Sequence, residues 1–234
     1  MRLGKIGSMM LFYVLIVTIF LTASYLGSAV TSTIAQMVPL ERSHTVVIDA
    51  GHGGVDGGAT SCSGILESNL NLEIALRLND LMHLLGVHTK MIRTTDTDIH
   101  TQGDTIATKK ISDLKNRVRI VNETENAVLV SIHQNTFSDS RYSGAQVFYG
   151  PKGDGQLLAE HLQAVIVETI NPGSNRRSKK ANGVYLMEHI EKTGVLVECG
   201  FLSNHEEEAK LRNPSYQKEI ICVIAASVCN FLDR

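Results

Sequence analysis

From residue 45 onward, short runs rich in β-branched residues alternate with segments in which apolar residues recur at helical spacing. This alternation is typical of a sheet covered by helices, and a run that is apolar throughout indicates a buried strand. The pattern predicts a single α/β domain with a mostly parallel, twisted sheet of about six strands and helices on both faces. The predicted strands are Thr45–Asp49, Val87–Arg93, Ala127–His133, Ala145–Tyr149, Val184–Met187 and Gly194–Glu198.

Segments in which apolar residues recur at helical spacing lie between these predicted strands. Between Ser68 and Leu85, apolar residues recur every three or four positions before Gly86, a common C-terminal signal. Ser203 with Glu206 forms a capping-box pattern at the start of a later helix. The polar segment 94–110 is predicted to be irregular. The predicted helices cover residues 68–85, about 112–123, 155–170, 204–212 and 215–232.

The first 35 residues have the composition of an export segment. They contain Arg2 and Lys5, and no further charged side chain occurs before Glu41. The apolar stretch approaches the length of a membrane span, and small residues after it allow cleavage, so a signal peptide and an N-terminal membrane anchor both fit residues 1–35. The positive-inside rule then places residues 36–234 outside the cytoplasmic membrane.

Charge and cysteine content narrow the function classes. Without Arg2 and Lys5, 20 basic and 24 acidic residues remain, and this net charge of −4 argues against nucleic acid as a partner. Cys222 and Cys229 lie seven positions apart in a helical pattern, roughly 10 Å along the axis, which is too far for a disulfide. The four cysteines are therefore predicted to be small core residues.

Three polar side chains come where predicted strands end. His52 lies in a loop with five glycines among the eight residues 51–58, His133 ends the third strand, and Glu198 ends the last. Since ligands of open α/β sheets bind at the carboxyl edge, these side chains are expected to converge. A phosphate cradle is the rival interpretation of the glycine-rich loop, but no Gly-Lys-Ser/Thr follows it.

These residues fit a catalytic zinc site. Such a site needs about three ligands from imidazole and carboxylate with one position open, and His52, Glu67 and His133 supply that set. Glu198 would then serve as the base, an arrangement suited to amide hydrolysis. Glu67 also has a purely structural explanation, because a carboxylate before a helix is favoured by the helix dipole.

Four motifs carry a family resemblance, which runs from about residue 45 to 232. Together they are similar to the zinc N-acetylmuramoyl-L-alanine amidases (amidase type 3). The motifs are Asp49-Ala50-Gly51-His52-Gly53-Gly54, Glu67 before Asn69-Leu70-Asn71-Leu72, Ser131-Ile132-His133-Gln134-Asn135, and Val195 to Asn204. The departures are Ala50 and Gly57, where proline is common, and Gln134, where alanine is common.

The resemblance implies roles for particular residues. It assigns His52, Glu67 and His133 to Zn²⁺ and makes Glu198 catalytic, so residues 36–234 would be a zinc amidase catalytic domain. The implied substrate is peptidoglycan, cut between N-acetylmuramic acid and the L-alanine of the stem peptide. Gln134, beside a ligand, is expected to alter the metal's surroundings.

The short exported layout, without wall-binding repeats, resembles the CwlD-type amidases of spore formers. That resemblance implies a role in sporulation or germination and a location in the forespore or spore envelope. There, peptide is removed from the muramic acid of the cortex before muramic lactam forms. An enzyme of this layout is expected to need an accessory protein for localisation or zinc retention, and the membrane is a further partner if the leader is uncleaved.

Two other functions fit parts of the sequence. A zinc exopeptidase would use similar ligands, and an inactive cell-wall-binding protein would keep the fold alone. Among the remaining histidines, His189 between Glu188 and Glu191 is the most plausible spare ligand. Cys199 follows Glu198 directly, but strand alternation turns its side chain to the opposite face, which favours a buried structural thiol.

Overall fold

The computed structural model describes residues 43–234, together with the single positions 18, 22 and 24. Within these residues no helix is both long and apolar enough to cross a lipid bilayer. The predicted signal peptide or anchor, residues 1–35, lies outside the described residues apart from those three positions, and so does its boundary with the following domain.

Six strands and six helices make up the part of the chain that the structure describes continuously. The strands are β1 (Thr45–Ala50), β2 (His88–Met91), β3 (Ala127–Asn135), β4 (Gln146–Tyr149), β5 (Lys179–Lys180) and β6 (Thr193–Phe201). The helices are α1 (Glu67–Leu84), α2 (Ile106–Glu123), α3 (Gly155–Thr169), α4 (Tyr185–His189), α5 (His205–Leu211) and α6 (Pro214–Leu232).

The strands form one sheet in the order β2-β1-β3-β6-β4-β5. Strands β2, β1, β3 and β6 run parallel, whereas β4 pairs antiparallel with β6 and parallel with β5. The four parallel strands therefore end at one edge, which is where ligands bind in open α/β sheets. The predicted mostly parallel α/β sheet of about six strands is confirmed.

Both faces of the sheet are covered, because alternate residues of each buried strand point to opposite sides. On one face, Val46, Ile48 and Val130 pack into a large core with apolar residues of α1, α3 and α6. On the other face, Val47 and Leu129 pack into a smaller core with residues of α2 and α4. The near-continuous apolar runs of β1, β3 and β6 follow from this double burial.

The prediction of a strand at Val184–Met187 was wrong. Residues Tyr185–His189 form the short helix α4, and Leu186 and Met187 are buried in the smaller core. Periodicity cannot distinguish a four-residue apolar run in a strand from a buried helical turn. The fifth strand is instead the exposed pair Lys179–Lys180, which joins β4 through backbone pairing alone.

Two helix starts also differ from the prediction. Helix α2 begins at Ile106, inside the segment predicted to be irregular, because Thr105 and Thr108 form a capping box. Helix α5 is capped by Asn204, whose side chain accepts hydrogen bonds from the backbone N–H groups of Glu206 and Glu207. Ser203 does not cap that helix, since its hydroxyl accepts a hydrogen bond from the backbone N–H of Phe137.

All four cysteines are free, as predicted, but the prediction that all four are core residues was wrong: Cys199 is fully buried in the large core, whereas Cys62 and Cys222 are exposed and Cys229 is half-buried. Burial raises the pKa of its thiol to about 12. We therefore expect iodoacetamide at pH 8 to label the exposed Cys62 and Cys222 and to spare Cys199 in the native protein. Peptide mapping by mass spectrometry measures this, with guanidinium-unfolded protein as the control. Native labelling of Cys199 as fast as that of Cys62 would contradict a structural role.

Candidate metal centre

The register of the parallel strands places the candidate residues together. His133 of β3 pairs with Glu198 of β6, so the two side chains point to the same face of the sheet. Asp49, near the end of β1, pairs with Ser131 on that same face. The loop that carries His52 starts directly after β1, and its Gly51 donates its backbone N–H to the carbonyl of Ile132.

His52 is held by its backbone and by a carboxylate. Its φ of 62° lies in the left-handed region, which is uncommon outside glycine. Its Nδ1 lies 2.9 Å from an oxygen of Asp56, and Lys110 pairs with the same carboxylate at 2.9 Å. This contact leaves Nε2 facing Glu67, as in metal-binding histidines whose second ring nitrogen is bound by a carboxylate.

Glu67, the first residue of α1, lies between the two imidazoles. Its Oε2 is 3.2 Å from His52 Nε2, and its Oε1 is 3.0 Å from His133 Nδ1. The imidazole rings meet edge to face with centroids 5.0 Å apart. One ligand-type atom from each of the three residues falls within 4.8 Å of the others, a spacing that fits a single metal ion.

The charges of this cluster stabilise one another. Burial by itself would lower the pKa of His52, but hydrogen bonds and charges from Asp56 and Glu67 raise it to about 9. Burial would raise the pKa of Glu67, yet its contacts with His133 and His52 hold that pKa well below its usual range. The carboxylate is therefore ionised, which is the form that binds a cation.

Glu198 is next to this cluster but stays outside it. Its Oε2 is buried and has no hydrogen-bond partner among the described residues. Burial and the nearby charge of Glu67 raise its pKa to about 7, although His133 and His52 act in the opposite sense. A carboxyl group with a pKa near neutrality is suited to taking up and releasing a proton.

Two glycines, Gly51 and Gly58, pack directly against side chains of the His–Glu–His cluster. A Cβ atom at Gly51 would lie 2.2 Å from Nε2 of His133, and one at Gly58 would lie 2.6 Å from Oε2 of Glu67. The backbone must therefore approach the imidazole and the carboxylate more closely than any side chain permits. The glycines of this loop are therefore needed for the close packing of the His–Glu–His cluster.

Gly58→Ala is expected to displace Glu67 and His52 and to lower metal affinity about tenfold or more. Gly64→Ala is the matched control, because Gly64 also has a positive φ, 87° against 68°, but nothing lies within 4 Å of its Cβ position. Each change places a Cβ atom at a positive φ, which costs about 1–2 kcal/mol of backbone strain. Competition with a chromophoric chelator measures the affinities, and equal values for the two variants would contradict the steric explanation.

The other histidine considered from the sequence does not join the site. His189 is exposed on α4, where its ring stacks on Tyr185 and its Nδ1 lies 2.8 Å from the carbonyl of that residue. Among the described residues, only His52, Glu67 and His133 form a cluster with the spacing of a metal site.

Sequence reasoning missed two buried arginines beneath the cluster. Arg117 donates to Asp49 at 2.5 Å and to the backbone carbonyls of Ala50 and His52. Arg93 donates to the carbonyls of Ala50 and Gly51. For Arg117 the sequence does contain a signal. Asp113, Arg117 and Val121 follow one another at intervals of four residues, which places them on one side of α2, and this side is buried.

A cleft of about 240 Å³ opens beside the cluster. Its lining includes His52 and His133 together with Leu114 of α2 and Tyr185 and Leu186 of α4. The cleft therefore combines an apolar wall with groups that bind a cation or move a proton, which is typical of an active site.

Comparisons with known proteins agree with this geometry. Residues 46–230 match the family model Amidase_3, described as N-acetylmuramoyl-L-alanine amidase. The germination-specific N-acetylmuramoyl-L-alanine amidase of Bacillus subtilis is 34% identical over 188 residues, which cover 80% of this chain and 78% of that protein.

Solved structures give the same result. The CwlD amidase of Clostridioides difficile, in complex with the GerS lipoprotein, aligns with a TM-score of 0.77 and 33% identity over 81% of this chain and 98% of that one. An N-acetylmuramoyl-L-alanine amidase of Clostridium difficile 630 aligns with a TM-score of 0.71 and 31% identity over 82% and 98%. The chain belongs to the N-acetylmuramoyl-L-alanine amidase family.

Proposed function

We propose that this amidase depends on zinc, which His52, Glu67 and His133 would hold, and that Glu198 is its catalytic base. One observation carries the proposal: three separate segments bring two imidazoles and an ionised carboxylate within 4.8 Å of one another. Nitrogen and oxygen ligands in this number, with a further position left for water or substrate, suit catalytic zinc.

Each side chain has a separate task. Zinc, when bound, acidifies water and polarises a carbonyl group. Glu198, beside His133 in the sheet, takes the proton from the attacking water and passes it to the nitrogen of L-alanine as the amide bond breaks. Asp56 keeps the ring of His52 in the orientation that leaves Nε2 free for the cation.

The substrate is peptidoglycan, and we infer that it is reached outside the cytoplasmic membrane. The leader with Arg2 and Lys5 supports export, either as a signal peptide or as a membrane anchor. The similarity to the germination-specific amidase of Bacillus subtilis supports a role in processing spore cortex peptidoglycan, where removal of the peptide precedes muramic lactam formation.

We infer that an accessory protein assists the enzyme in localisation or zinc retention. Support comes from the Clostridioides difficile CwlD amidase, whose structure was solved in complex with the GerS lipoprotein. A full rate and one tightly held zinc ion in the isolated chain would count against this inference.

The test is to incubate the full-length protein with purified peptidoglycan, with chelator and then with zinc restored. Mass spectrometry should find new L-alanine amino termini paired with peptide-free muramic acid, lost with chelator and regained with zinc. Free amino acids as the only products would indicate an exopeptidase, and binding without products would indicate a wall-binding protein.

A further inference from the structure

One buried side chain contacts all three segments that carry the proposed zinc ligands. Asn71 is fully buried, and its Nδ2 donates to the carbonyl of Gly51 at 3.1 Å and to Oε1 of Glu67 at 3.2 Å. Its Oδ1 accepts a hydrogen bond from Nε2 of Gln134 at 3.1 Å. Gly51 precedes His52, and Gln134 follows His133.

The position of Asn71 explains how one amide reaches so far. It lies four residues after Glu67, so both side chains are on the same side of α1. A primary amide offers two donor hydrogens and an acceptor oxygen in one plane, which are the groups that these contacts use. The backbone N–H of Gln134 also donates to Oε1 of Glu67 at 3.1 Å, which closes the network.

We propose that Asn71 is a positioning residue that fixes the spacing of His52, Glu67 and His133 for the metal. The inference rests on the proposed function. Loss of the amide removes the direct links from α1 to the carbonyl of Gly51 and to the Gln134 side chain, so the spacing of the three ligands is held less tightly. Partners that orient metal ligands typically contribute about 10–100-fold in metal affinity.

A second side chain, Arg93, joins the His52 loop to α1 by hydrogen bonds that do not involve Asn71. Nη2 of Arg93 donates to the carbonyls of Gly51, at 3.0 Å, and Ser68, at 2.8 Å. This contact joins the backbone of the His52 loop to that of α1 without Asn71. We therefore expect Asn71→Ala to fold and to show its defect in the ligand geometry.

The experiment compares full-length Asn71→Ala with Asn69→Ala, an exposed asparagine of the same helix. Zinc affinity is measured by chelator competition, and ligand geometry by the visible absorption of the Co²⁺-loaded protein. We expect Asn71→Ala to lose about 10–100-fold in zinc affinity and to shift the Co²⁺ bands, and Asn69→Ala to match the wild type.

Gln134→Ala is the second variant, because it removes the link between Asn71 and the His133 segment and leaves the bonds of Asn71 to Gly51 and Glu67 in place. A smaller loss of zinc affinity that does not add to that of Asn71→Ala supports the network. Folded Asn71→Ala with wild-type affinity and wild-type Co²⁺ bands would overturn the inference, even if its melting temperature fell. Wild-type protein that binds neither metal would overturn the proposed function itself.

Discussion

Glu198→Gln is expected to lower kcat on peptidoglycan about 10²–10⁴-fold and to leave zinc binding intact. Glutamine has the same size as glutamate but cannot take up the proton of the attacking water. Glu198 fits this role because it pairs with His133 across the sheet and its buried Oε2 has no hydrogen-bond partner among the described residues. Initial rates of L-alanine amino-terminus release, with zinc content by atomic absorption, measure both effects.

The control for this prediction is Glu191→Gln. Glu191 is exposed and pairs with Lys152, so its change should leave kcat and zinc content at wild-type values. A Glu198→Gln variant that retains zinc and keeps its full rate would remove Glu198 from the mechanism.

His52→Asn is expected to lower zinc affinity by about 100-fold or more and to abolish activity at low zinc concentration. Roughly 12 kcal/mol of zinc binding shared by three protein ligands is about 4 kcal/mol for each, so loss of one ligand weakens binding by at least this order. Asparagine tolerates the positive φ of residue 52, so the change adds little backbone strain. Chelator competition gives the affinity.

His189→Asn serves as the matched control, since it makes the same replacement at an exposed histidine outside the cluster. Zinc affinity unchanged in His52→Asn, or reduced as much in His189→Asn, would contradict the ligand assignment. Recovery of the activity of the His52→Asn variant when excess zinc is added would support the ligand assignment.

Much of the fold follows from local patterns. The apolar runs of β1, β3 and β6 predict buried parallel strands, and parallel strands end at one edge of a sheet. For this reason, the approach of His52, His133 and Glu198 could be predicted before any coordinates. The sequence predicts Glu67 as a ligand on weaker grounds, because a carboxylate at a helix start has a structural explanation of its own.

The remaining features depend on tertiary contacts that leave little trace in the sequence. Strand β5 consists of two exposed lysines held by the backbone of β4, so no hydrophobic pattern marks it. Helix α4 carries a run of apolar residues that reads equally well as a strand. The contacts of Asn71 reach segments 20 and 63 residues away along the chain, and no local pattern predicts them.

The zinc assignment is tested most directly by diffraction from zinc-grown crystals of the full-length protein, measured above and below the zinc absorption edge. We expect one anomalous peak about 2.0–2.2 Å from ligand atoms of His52, Glu67 and His133, with the carboxylate of Glu198 facing it but not bound to it. A peak held by other residues, or no peak at this edge of the sheet, would contradict the assignment.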